Sequence, residues 1–74
     1  LEKQLINMKA TPLVEKWANK RIGTEIKEMR TKRHGIVESW RLGDRENGIW
    51  FFFIDEEKEE NSAYRQIPKQ IRGK

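Results

Sequence analysis

The sequence predicts a mainly β fold: a small antiparallel barrel or strongly bent sheet carrying one or two N-terminal helices. Three observations lead there. The run Ile49-Trp50-Phe51-Phe52-Phe53-Ile54 is apolar throughout and follows Asn47-Gly48, the dipeptide best suited to a type I′ hairpin turn because both central residues need φ > 0. Hydrophobic periodicity changes from helical spacing before Ile22 to alternation after it. Short apolar runs then recur between polar, turn-forming clusters as far as Ile71.

In chain order, Leu1, Leu5 and Met8 stand at helical spacing with Ile6 beside them, enough for one or two turns. Thr11-Pro12 reads as a helix start, with Thr as N-cap and Pro at the first helical position. Glu15 suits the first turn, and Lys16, Lys20 and Arg21 suit the C-terminal dipole. Leu13, Val14, Trp17, Ala18 and Arg21 share a face of a helix running to about Lys20, which Gly23 can stop. Alternation over residues 23–29 predicts a first strand, and Arg30-Thr31-Lys32-Arg33-His34 a basic connection. Gly35 opens a second strand, and the aromatic run forms the third. Residues 56–62 read as a charged loop and residues 63–67 as a fourth short strand, interrupted by Pro68.

A two-residue Asn47-Gly48 turn sets the register. Trp40 then faces Asp55, Leu42 faces Phe53, Asp44 faces Phe51 and Glu46 faces Ile49; on the other face Arg41 meets Ile54, Gly43 meets Phe52 and Arg45 meets Trp50. A longer loop over residues 43–48 would change these pairs. Trp40, Leu42, Ile49, Phe51 and Phe53 make the better core face. The opposite face sets Trp50 and Phe52 beside arginines, a composition suited to stacking unpaired bases. Two readings of that second face follow: the chain's own helix covers it through Leu13, Val14 and Trp17, or a partner does.

Composition bounds the rest. Seventy-four residues make one small domain, and with 35% hydrophobic against 38% charged residues its core must be thin. There is no cysteine, hence no disulfide and no thiolate metal site. No apolar run approaches the roughly 20 residues that span a bilayer, so no membrane partner is expected. The chain does not begin with Met and reads as part of a larger, intracellular protein. Net charge is +4, with an isoelectric point near 9.6, which favours anionic partners. The charge is segregated: Asp55 and Glu56, Glu57, Glu59 and Glu60 form an acidic run, expected as a solvated loop or one folded onto the basic patch.

The candidate nucleic-acid contacts are Lys27, Arg30, Lys32, Arg33, His34, Arg41, Arg45, Arg65, Lys69 and Arg72, with Trp40, Trp50, Phe52 and Tyr64 as candidate stacking rings. The rings also allow a methyl-lysine cage, with Asp55, or a proline-rich peptide groove beside Glu56–Glu60. His34 stands alone as a metal ligand and the acidic run lacks calcium-loop spacing, so no metal or cofactor is expected. No Ser-His-Asp or Cys-His set and no phosphate-cradling glycine loop is present, and no catalytic residue is assigned.

Gly35-Ile36-Val37 after a basic turn, the aromatic strand, and Ile67-Pro68-Lys69-Gln70-Ile71 as a strand, short turn and strand together resemble an SH3-like small barrel of the Tudor or KOW sort over residues 22–72. The resemblance implies a barrel over residues 22–72, and the helical spacing of residues 1–21 adds an N-terminal helical segment packed on it. Such barrels host nucleic-acid, methylated-residue and proline-rich-peptide binders, so the resemblance implies a non-catalytic binding module, or an accessory domain of an enzyme, without choosing among them. The basic charge and arginine-flanked rings make a nucleic-acid-binding domain of a larger DNA- or RNA-handling protein the expectation, with a Tudor- or SH3-like domain recognising a peptide or methylated residue as the alternative. The other fold considered is a winged-helix-like α+β module with residues 35–55 as the wing.

Overall fold

A computed structural model describes residues 11–43 and 47–72. The expected helical segment over residues 1–10, and Asp44, Arg45 and Glu46, lie outside the described residues. The elements are α1 (Pro12–Asn19), β1 (Glu25–Lys27), β2 (His34–Leu42), β3 (Gly48–Asp55), β4 (Glu60–Gln66) and α2 (Lys69–Arg72). The fold is mainly β, with four antiparallel strands curled into a half-barrel behind a short helix. No helix among the described residues is long and apolar enough to cross a membrane.

α1 begins as its sequence dictates. Thr11 is extended (φ −75°, ψ 164°), its Oγ1 accepts from the Val14 amide at 3.3 Å, and Pro12 follows. Val14 and Ala18, one turn apart, are buried, and Trp17 packs beside them with its ring 5.8 Å from that of Phe51. Leu13, expected on this face, is 57% exposed. Gly23 takes φ 91° after the helix, and its amide donates to the Val37 carbonyl at 2.8 Å, fastening the exit to β2.

The strands form a meander in the order β1-β2-β3-β4. β3, hydrogen-bonded on both sides, alternates between buried residues (Ile49, Phe51, Phe53, Asp55) and half-buried ones (Trp50, Phe52, Ile54). The register differs from the two-residue turn. Leu42 pairs with Ile49, Arg41 with Trp50, Trp40 with Phe51 and Ser39 with Phe52, while the Gly43 amide donates to the Gly48 carbonyl at 3.0 Å. The connection is thus the longer loop. Each partner moves by four residues, an even number, so every side chain keeps its expected face.

A bulge at Glu38 adds a second correction. Val37 pairs with Phe53 and Ser39 with Phe52, leaving Glu38 as the extra residue. Val37 and Trp40 are three apart, a spacing that strict alternation would send to opposite faces; the bulge brings both to the core side and bends the strand. Gly35, next along, approaches the β3 backbone so closely that a Cβ there would strike the Ile54 carbonyl.

The core lies on the concave face, where Val14 and Ala18 meet Val37, Ile49, Phe51 and Ile67, with Trp17, Ile26, Trp40, Leu42 and Ile71 around them. The Trp40 Nε1–H donates to Asn19 Oδ1 at 2.8 Å, tying the end of α1 to β2. The fourth strand starts earlier than expected, at Glu60, because a tight turn over residues 55–59 replaces the longer charged loop. After Pro68 the expected closing strand is instead the helical turn α2, whose Ile71 and Arg72 amides donate to the Pro68 carbonyl. Without that strand, β1 and β4 stay as the two sheet edges.

Phe51→Ala is expected to cost about 3–5 kcal/mol. That matches the roughly 3–5 kcal/mol a core this small leaves in total, so the variant should be largely unfolded without denaturant. Leu13→Ala, at an exposed site, should leave the urea midpoint nearly unchanged; tryptophan fluorescence reads both.

Candidate nucleic-acid interface

The convex face of the sheet presents cross-strand rows. Arg41, Trp50 and Tyr64 lie side by side, then Ser39, Phe52 and Ser62, then Ile36, Ile54 and Glu60. Trp50 and Tyr64 meet edge to face with centroids 4.9 Å apart, and the Arg41 guanidinium carbon stands 5.9 Å from the centre of the Phe52 ring. The Tyr64 ring lies over Gly43 and Gly48, where a Cβ on Gly48 would collide with it. Gly43, expected to pair with Phe52, is instead part of the floor under Tyr64. Tyr64 is 42% exposed and Ile36 50% exposed.

α1 packs on the opposite, concave side, so the expectation that Leu13, Val14 and Trp17 cover Trp50 and Phe52 is overturned. Trp40 is also on the concave side, bonded to Asn19, and Asp55 faces inward in its turn. Neither joins Trp50, Phe52 and Tyr64, so the four rings named for a methyl-lysine cage do not surround a common point. The acidic turn sits at the far end of β3 from Trp50, which separates the acids from the rings that a proline-rich groove would combine.

The candidate cations are dispersed. Arg41 shares the aromatic face, and Arg45 lies outside the described residues. Arg30 and Lys32 are exposed in the β1–β2 turn, where Lys32 takes φ 65°. Arg33 lies 3.2 Å from Glu57, 3.7 Å from Glu56 and 3.8 Å from Asp55, and the Glu57 hydrogen bond and charge raise its pKa. His34 Nδ1 is 2.8 Å from Glu25 Oε2. Lys27 ends β1 at the sheet's open seam, Arg65 reaches across that seam from β4, and Lys69 and Arg72 sit on α2.

The acidic run therefore folds against the basic turn, because pairing Gly35 with Asp55 brings the start of β2 to the end of β3. Residues 25–34 and 55–60 hold five Lys or Arg and seven carboxylates, whereas the other described residues hold seven Lys or Arg and two carboxylates. Positive charge thus gathers away from the turn that the sequence marks most strongly. Lys20 and Arg21, read from the sequence as helix residues and not as candidate contacts, belong to this basic side. Among the described residues no group of three or more His, Cys, Asp or Glu side chains is arranged to hold a metal.

Asp55 organises the acidic turn. It is 5% exposed, and its Oδ1 accepts from the amides of Glu57 (2.8 Å) and Glu59 (2.9 Å) while Oδ2 accepts from Asn61 Nδ2 (2.6 Å). The Glu59 amide above all, then those of Glu57 and Asn61 and the charge of Arg33, hold its carboxyl below the ordinary value against the opposing effect of burial. Lys58 takes φ 64° to close the turn. Glu56 is lowered too, chiefly by its own amide and then by that of His34.

Searches against family models, curated proteins and solved structures return no significant match.

Because the folded carboxyls of Asp55 and Glu56 are depressed, the stability they contribute is fully present above their unfolded values and is lost as pH falls through the folded ones. Thermal unfolding should show stability declining between about pH 5 and pH 2. Asp55→Asn should lower stability at neutral pH and flatten that decline, since its amide opposes the Asn61 donor; an unchanged acid slope contradicts the assignment.

Proposed function

We propose that this chain is a non-catalytic nucleic-acid-binding module and that its convex sheet face is the surface that stacks unpaired bases. The observation that carries the reading is the row Arg41-Trp50-Tyr64, exposed at Arg41 and Tyr64 and half-buried at Trp50, with half-buried Phe52 beside it, on the side of the sheet that α1 leaves open. Aromatic faces are sequence-tolerant platforms, because every base has a π-face. Arg41 stands close enough to these rings to reach a phosphate between stacked bases. The basic side of the molecule would draw an anionic strand, with binding that weakens as salt rises. The acidic turn at the other end would orient that encounter by repulsion.

The half-barrel is read as an SH3-like barrel. Its short antiparallel strands, the close backbone approach at Gly35 and the one-turn helix after β4 support that reading. The chain is read as one domain of a larger DNA- or RNA-handling protein.

Fluorescence anisotropy of a labelled oligo-dT or oligo-U at low salt tests the function. A stacked base is worth about 1–3 kcal/mol, so Trp50→Ala and Tyr64→Ala should each weaken binding by roughly fivefold or more. Arg30→Glu with Lys32→Glu, at the acid-dominated end, should change the affinity far less. Absence of binding at low salt, or equal binding by Trp50→Ala, sinks the reading.

A further inference from the structure

The two sheet edges, β1 and β4, do not pair with each other. Among the described residues the Arg65 side chain bridges them: it donates from Nη2 to the Lys27 carbonyl of β1 at 2.6 Å and from Nη1 to the Tyr64 carbonyl of its own strand at 3.0 Å. Between this seam and α1 lies a cleft of about 650 Å3. Trp17 and Phe51 form its apolar wall, Lys20, Arg21 and Arg65 line it, and Lys27 stands at its edge, giving the seam its carbonyl. Glu25 also lines it, with its carboxylate directed to His34.

Two features distinguish these cations from ordinary surface charge. Both guanidinium groups are held in place by backbone carbonyls rather than carboxylates: Arg65 as above, and Arg21 through an Nη1 bond to the Trp17 carbonyl at 2.9 Å, lying 4.4 Å over the Trp17 ring. Each keeps further N–H donors beyond those used, since a guanidinium carries five. And none of the four cations has an ion pair with a described residue, whereas Arg33 has three. Like charges gathered beside apolar walls in a concave site focus the field on whatever enters.

We propose that the cleft binds a phosphorylated ligand of diphosphate or mononucleotide size. Planar guanidinium forks fixed before binding suit the tetrahedral oxygens of phosphate, and Lys20 and Lys27 add point charges at the mouth. The site is on the concave side, across the sheet from Trp50 and Tyr64, and stands independently of the stacking face.

The test is titration of the whole chain with pyrophosphate, followed by NMR. Saturable shifts of the Arg21 and Arg65 Nε–H and Trp17 indole signals are expected. The exposed-site double variant Lys20→Gln, Lys27→Gln, its fold checked by its amide spectrum, should bind about tenfold more weakly or worse. Trp50→Ala should bind pyrophosphate as the wild type does, even where it loses oligonucleotide, so the two sites fail separately. If a short oligonucleotide displaces pyrophosphate, the phosphate is that of a strand backbone; if only a mononucleotide does, it is that of a free small molecule. No saturable shift at millimolar pyrophosphate, or equal affinity in the double variant, overturns the proposal.

Discussion

β3 is hydrogen-bonded on both edges, so its side chains have only two directions available, and everything else follows from how the chain fills them. On one side Ile49 and Phe51 pack with Val14, Ala18 and Ile67, and Phe53 is fully buried as well. Among the described residues, one eight-residue helix and one helical turn supply that cover. It is enough for one face. The other keeps Trp50, Phe52, Ile54 and Tyr64 at or near the surface, an apolar cost that a partner would offset.

What was legible in the sequence depended on how local its cause was. The start of α1 is legible because Thr11 and Pro12 act within one turn. The division of β3 into two faces is legible because parity survives any even shift of register, and the shift is four. The register itself is not, since the residue pair Asn47-Gly48 competes with a longer loop whose closure at Gly43 depends on strand twist and on Tyr64 packing. The bulge leaves a trace, the odd spacing of Val37 and Trp40, yet only the demand that both enter one core makes that spacing meaningful. Which face α1 covers is a tertiary choice: Trp40, hydrogen-bonded to Asn19, and Phe51, against Trp17, draw the helix to their side.

The charges show the same distinction between chain and space. The basic turn is the densest positive cluster along the chain, but antiparallel pairing sets it against the acidic turn, where Asp55 and its neighbours engage Arg33. The pairs with Glu56 and Glu57, whose side chains are exposed, add little to stability. Their effect is on the outer field, since the carboxylates beside Arg33 offset its charge while Arg30 and Lys32 stay exposed in the same turn. Cations scattered along the sequence, just after α1, on β1 and on β4, meet instead at the open seam. That convergence exists only because α1 crosses the concave face and the half-barrel stays unclosed.

The three tryptophans offer the most direct measurement of the central claim, because they sample both sides of the sheet: Trp17 and Trp40 on the covered side, Trp50 on the open one. Indole Nε1–H signals recorded during titration with a short single-stranded oligonucleotide should show the Trp50 signal moving to saturation while that of Trp40, held by Asn19, stays in place. A Trp50 signal unmoved at saturating oligonucleotide would contradict the assignment of the convex face as the stacking surface.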